Sequence, residues 1–129
     1  MAGAGEPAVR SPAVAGMFYP ADAEQCRRAA QSLLQGQRTE IADEGRSWRG
    51  AVVPHAGWIC SGAIAAQAIA ALAKAVPAPD LVVVFGAVHT PTDVDFAAFD
   101  SHESWAVPGG ESRLATDAVN ALARSRRLG

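Results

Sequence analysis

The stretch AVVPHAGWICSGAIAAQAIAALAKAVPAPDLVVVFGAVHT, residues 51–90, decides the fold. Its apolar run Ala51-Val52-Val53-Pro54 is closed by a proline, and His55-Ala56-Gly57-Trp58 turns away from it. Ser61 or Gly62 opens an alanine-rich helix that runs to about Ala75, where Pro77 and Pro79 forbid continuation. A second apolar run, Leu81-Val82-Val83-Val84-Phe85-Gly86, then leads to Ala87-Val88-His89-Thr90. Leu81 to Phe85 shows no alternation, as expected of a strand buried on both faces of a parallel sheet. Strand, helix and strand in this order predict a right-handed βαβ crossover with both strands ending at one edge. The expected fold class is α/β: a three-layer, mostly parallel sheet flanked by helices, with that unit at its centre.

The helix is apolar nearly all round. Ile64, Ala65, Ala68, Ile69 and Leu72 fill one face, and Ala63, Ala66, Ala70 and Ala73 make another, so cover on more than one side is expected. Residues 59–76 reach membrane-span length, but Ser61, Gln67 and Lys74 interrupt them and alanine contributes weakly to insertion. A buried helix of a soluble protein, with no membrane partner, is the reading.

Outward from this centre, residues 1–8 read as a flexible tail and residues 9–129 as one domain. Residues 9–20, VRSPAVAGMFYP, suit an extended arm that docks Phe18 and Tyr19 on the core. The functional alternative is that Arg10 or Tyr19 reaches a site. Asp22 with Gln25 three residues on predicts an N-cap, followed by a stripe of Cys26, Ala29, Ala30, Leu33 and Leu34 and a stop at Gly36. On that stripe Cys26 is an inert core thiol. Residues 37–49 read as a surface connection, with Trp48 as a lid over the strand that follows. Residues 93–99 alternate as a third strand, residues 102–110 read as loop, and Leu114, Ala118, Val119 and Leu122 mark a last helix capped by Ser112.

Composition narrows the function. Half of the residues are hydrophobic and 19% are charged, which is globular, but the abundance of alanine implies a thin, closely packed core. A net charge of -2 and a pI near 5.8 leave no basic field for a nucleic acid backbone, the only local cationic run being Arg124-Ser125-Arg126-Arg127. The two cysteines, Cys26 and Cys60, have no framework spacing, and the first residues have no signal-peptide character. A reducing, cytoplasmic setting is expected.

In open α/β sheets, ligands gather beyond the carboxyl ends of the strands, and His55 and His89 both fall there. One reading makes them polar caps on buried strands. Two equivalent placements on consecutive strands, with Gly57 and Gly86 easing backbone approach, favour a functional pair. Two neutral imidazoles suit iron, copper, zinc or nickel, and Cys60, His102, Glu103 and Asp95 remain open as further ligands. Cys60, ahead of Ser61 at the expected helix start, also has the place of a nucleophile. The plainer alternative is a small buried residue at a strand-to-helix turn.

Three stretches together resemble the Memo family, whose bacterial and archaeal members are called AmmeMemoRadiSam system protein B. They are residues 10–20, RSPAVAGMFYP; residues 53–62, VPHAGWICSG; and residues 85–90, FGAVHT. The resemblance implies a fold shared with class III extradiol dioxygenases, with His55 and His89 as ligands of iron or copper, zinc being a further option. It implies oxygen or redox chemistry at the metal, or alternatively a non-enzymatic module that binds a peptide, a phosphopeptide or a small aromatic ligand. Ala87-Val88 and Cys60 depart from the family's usual residues. The family is about twice as long, and the other residues of its metal site lie outside the stretch matched. Residues 9–129 are therefore expected to be the N-terminal part of a Memo-like domain, a fragment with weakly bound metal and self-association through an uncovered sheet edge.

Overall fold

The computed structural model describes residues 8–35, 48–87, 89 and 98–125. They belong to two compact units: one of Met1–Ser11, Leu81–Ala106 and Glu111–Gly129, the other of Pro12–Asp80 and Val107–Gly110. We call them the sheet unit and the helical unit. The elements, in chain order, are β1 (Val9–Arg10), α1 (Ala23–Gln35), α2 (Trp58–Ala75), β2 (Ser104–Val107), β3 (Gly110–Arg113) and α3 (Thr116–Arg124). Among the described residues the fold is α/β in content, three helices with a three-stranded sheet of order β1-β2-β3.

In the helical unit, α1 starts where Asp22 dictates. The Gln25 backbone N–H donates to Asp22 Oδ1 at 2.9 Å, satisfying an amide that the first helical turn cannot. The stripe of Cys26, Ala29, Ala30 and Leu33 is half-buried as patterned, and Leu34 stays exposed. The stop at Gly36 and the connection over residues 37–47 lie outside the described residues. Trp48 is no lid; its side chain is exposed.

Helix α2 begins at Trp58, three residues earlier than Ser61, and ends as expected before Pro77, with the Val76 N–H donating to Leu72 O. Its buried residues are Ser61, Gly62 and Ala66, a face rotated from the one that hydrophobicity selects, and Ile64 is exposed. Small size explains the rotation: a Cβ on Gly62 would stand 3.0 Å from Leu33 Cδ1, so α1 sits closer than a larger residue permits. Helix α2 is long and apolar enough to cross a membrane by length and composition, and its small-residue face is turned to α1.

The sheet unit corrects two expectations. Residues 104–107 and 110–113, read as loop and helix cap, are strands β2 and β3, and Ser112 lies in β3. Helix α3 starts at Thr116 with Ala115 as N-cap and no side-chain cap. Strand β1 pairs parallel with β2, Val9 opposite Ser104 and Arg10 opposite Trp105. The hairpin turns at Pro108-Gly109, where Gly109 has φ 85°, the conformation that a type II turn asks of its third residue. Of the third expected strand, residues 93–97 lie outside the described residues, and Ala98 and Phe99 are not in a strand.

The expected βαβ crossover is not formed as a sheet. Residues 51–54 and 81–85 carry no strand, and no parallel three-layer arrangement is present among the described residues. Val52 is 99% exposed and Phe85 94%, so these runs have the composition of central strands without neighbours among the described residues to cover them. A strand exists only through its ladder, and apolar runs of this kind need layers on both faces. A Cβ on Gly86 would likewise meet nothing within 4 Å, so the close backbone approach expected there is absent among the described residues.

Two outcomes follow from this packing. A Cβ on Gly109 would lie 2.9 Å from Ala23 Cβ on a backbone of positive φ, so Gly109→Ala is expected to lower stability by about 1–3 kcal/mol in urea unfolding. Val83→Lys, placing a charge in the exposed run at 81–85, is expected to reduce concentration-dependent association in light scattering.

Candidate functional site

The site is built where the arm meets the start of α2, within the helical unit. Residues 14–19 fold on themselves. Met17 and Phe18 N–H groups donate to Val14 O, Gly16 N–H donates to Tyr19 O at 2.7 Å, and Gly16 takes φ 83° to close the turn. This presents the Phe18 carbonyl to the helix, where it accepts from Trp58 N–H at 2.8 Å. That amide is one of the donors every helix start leaves unmatched, so the arm acts as the cap that Gly57 cannot provide. The Tyr19 ring lies against Trp58, centroids 5.5 Å apart and planes tilted by 36°.

His55 sits in the loop that these contacts fix. The Ser61 hydroxyl donates to Ala56 O at 3.0 Å, tying the residue after His55 to the first turn of α2. Gly57 O accepts from both Cys60 and Ser61 N–H, and Gly57 Cα lies against the Phe18 backbone. His55 is exposed and lines a cavity of about 390 Å³ between the arm, α1 and α2. Tyr19, expected to dock on the core with the arm, lines this cavity as well, while Phe18 is docked only in part and stays half-exposed.

The other candidates fall elsewhere. His89 belongs to the sheet unit and is exposed, with Val88 and Thr90 outside the described residues. Asp95 lies outside them as well. Cys60 is exposed within α2, not buried at a turn, and Cys26 is half-buried. Among the described residues no three of His, Cys, Asp and Glu gather closely enough to hold a metal ion. Two imidazoles suit a transition metal in donor type, but the described residues do not complete a coordination sphere around either.

His102 and Arg10 meet in a cluster that spacing does not reveal. Asp100 Oδ1 accepts from His102 backbone N–H at 2.9 Å and from Nδ1 at 2.6 Å, and Oδ2 accepts from Arg10 Nη1 at 2.6 Å. Arg10 also stacks on Trp105, its guanidinium carbon 5.1 Å from the ring centroid. The His102 backbone N–H, more than any other contact, holds the Asp100 carboxyl far below its ordinary range; burial opposes it, and the His102 and Arg10 side chains add to the lowering. Glu103 is exposed, its N–H donating to Ala8 O beside β1. This cluster ties Arg10 to Asp100, ahead of β2, across ninety positions of sequence, so no local pattern announces it.

The chain matches the family model described as Memo-like protein over residues 10–128. It is 36% identical over 120 residues to a MEMO1 family protein of Methanopyrus kandleri, covering 89% of this chain and 42% of that one. A MEMO1 family protein of Ignicoccus hospitalis is 44% identical over 88 residues, 64% of this chain and 30% of that one. One of Methanobrevibacter smithii is 33% identical over 121 residues, 88% and 42% respectively. The chain thus spans less than half the length of these curated relatives. No solved structure gives a significant match.

Because the Asp100 carboxyl is held ionised in the folded chain, its stabilisation is complete above the unfolded carboxyl's ordinary range. It is lost as pH falls below about 4. Asp100→Asn is expected to cost about 1–2 kcal/mol at pH 7 and to flatten the acid limb of a urea-midpoint-against-pH profile.

Proposed function

Since the chain belongs to the Memo family, we propose that it is a Memo-type metal-binding protein in which His55 and His89 each supply an imidazole to iron or copper, with zinc as a further option. The observation that supports this reading is the fixing of the His55 loop. Its following residue is hydrogen-bonded to Ser61, and the helix start beyond it is hydrogen-bonded to the arm. A ligand imidazole needs such a loop, because affinity is lost when ordering has to accompany binding. Bound there, iron or copper would supply oxygen or redox chemistry of the extradiol dioxygenase type, in a cytoplasmic setting. The remaining donors would come from the portion of the Memo sequence beyond the stretch matched here. With two protein ligands the affinity is weak, and no reaction step is assigned.

A peptide- or phosphopeptide-binding role has less support. Among the described residues no arginine or lysine lines the cavity beside His55, and phosphate recognition relies on such groups.

The reading is tested by the metal content of the protein after equilibration with ferrous iron, cupric copper or zinc, compared between the wild type and His55→Ala/His89→Ala. Stoichiometric metal in the wild type and at least tenfold less in the double variant is the expected result. Equal content in both removes the two histidines as ligands.

A further inference from the structure

The carboxylate cluster of the sheet unit has a chemistry that its structural role leaves unused. Asp100, His102, Arg10 and Trp105 all belong to that unit. An ionised carboxylate can only accept, so His102 Nδ1, 2.6 Å from Asp100 Oδ1, carries the proton of that contact. When the ring is neutral its lone pair is therefore on Nε2. That atom has no hydrogen-bond partner among the described residues, and it is not one of their buried unmatched polar atoms, which are Ser104 Oγ and Trp105 Nε1. The His102 side chain is 37% exposed, so Nε2 is open to solvent. Asp100 is itself held in place: Oδ1 also accepts from the His102 backbone N–H, and Oδ2 accepts from Arg10, whose guanidinium lies over Trp105. The ring thus has a set tautomer, a set orientation and an anion behind it.

We propose that His102 is a phosphoryl-acceptor site, whose Nε2 takes a phosphoryl group from a small donor with a P–N bond while Asp100 holds the ring and stabilises the imidazolium that forms. An imidazole is a nucleophile through its unprotonated nitrogen, and a carboxylate on the other nitrogen both selects that tautomer and favours the charged product. In the transfer, the Nε2 lone pair attacks phosphorus, the P–N bond breaks, and ammonia departs with its electron pair. A monoanionic phosphoramidate and a neutral ring become a dianionic phosphoryl group on a cationic ring, so charge is conserved. A phosphoryl group suits this ring better than an acyl group, because its own negative charge and that of Asp100 hold the imidazolium from both sides. A modification of this kind needs an accessible nucleophile and no enclosing pocket. The site uses neither His55 nor His89, so it stands or falls apart from the metal reading.

The probe is potassium phosphoramidate, added with a chelator to the full 129-residue chain. Imidazole nitrogen NMR of the untreated chain, at a pH where the ring is neutral, is expected to show His102 protonated at Nδ1. Phosphorus NMR and peptide mass spectrometry are then expected to find acid-labile phosphate on His102 Nε2, accumulating at least fivefold faster than on His55 or His89. His102→Gln should remove that phosphate. Asp100→Asn, which keeps an acceptor but not its charge, should slow the reaction at His102 at least fivefold and leave His55 and His89 within twofold. A ring protonated at Nε2, phosphate on Nδ1, or equal rates at the three histidines would overturn the proposal. So would a folded Asp100→Asn chain, judged by circular dichroism, that reacts as the wild type does. If Asp100→Asn does not fold, the tautomer and the position of the phosphate in the wild type decide the matter. Because chelator is present, failure here leaves the metal-content result standing, and the reverse also holds.

Discussion

The helical unit depends on one hydrogen bond, from the Trp58 backbone N–H to the Phe18 carbonyl. A helix that begins with glycine at its N-cap has no side chain to satisfy its first amides. The arm supplies an acceptor instead, and it can do so only because Gly16, at positive φ, folds residues 14–19 into a turn that holds the Phe18 carbonyl in place. From that bond follow the seating of Tyr19 on Trp58, the contact of Gly57 with the arm, and the fixed loop that carries His55.

The second constraint is closeness. Gly62 admits Leu33 at a distance no larger residue would allow, so α1 and α2 meet through small side chains. Closeness at one point leaves space at another. Beside that contact, where α2 offers Ala65 and Ala66, a cavity remains between the arm, α1 and α2 instead of a filled core. An alanine-rich helix gives this result because it buries little area per residue, as the scarcity of fully buried side chains shows among the described residues.

In the sheet unit the organising group is a carboxylate. Asp100 accepts three hydrogen bonds, two from His102 and one from Arg10, and so secures a two-residue strand that its own ladder could barely hold. A charged acceptor suits the task, since bonds to it are about twice as strong as neutral ones. His102, a candidate ligand by residue type, thus has one ring nitrogen committed to structure.

By itself the sequence determined the features that local chemistry controls. The Asp22 cap, the stripe of α1 and the proline-limited end of α2 are as the residues dictate, because caps, periods and breakers act within a few positions. The three stretches at residues 10–20, 53–62 and 85–90 also pointed to the family, which the match over residues 10–128 shows. Only the tertiary structure decided what depends on partners distant in sequence. The valine run at 81–85 has a strand's composition, yet among the described residues it has no ladder, because a strand needs neighbours that composition cannot provide. Residues 104–107 and 110–113 read as loop and cap, yet β1 beside β2 and β2 beside β3 make strands of them. The cavity beside His55 belongs to the same class: residues from the arm, α1 and α2 form it together, and no one of those stretches encodes a hollow.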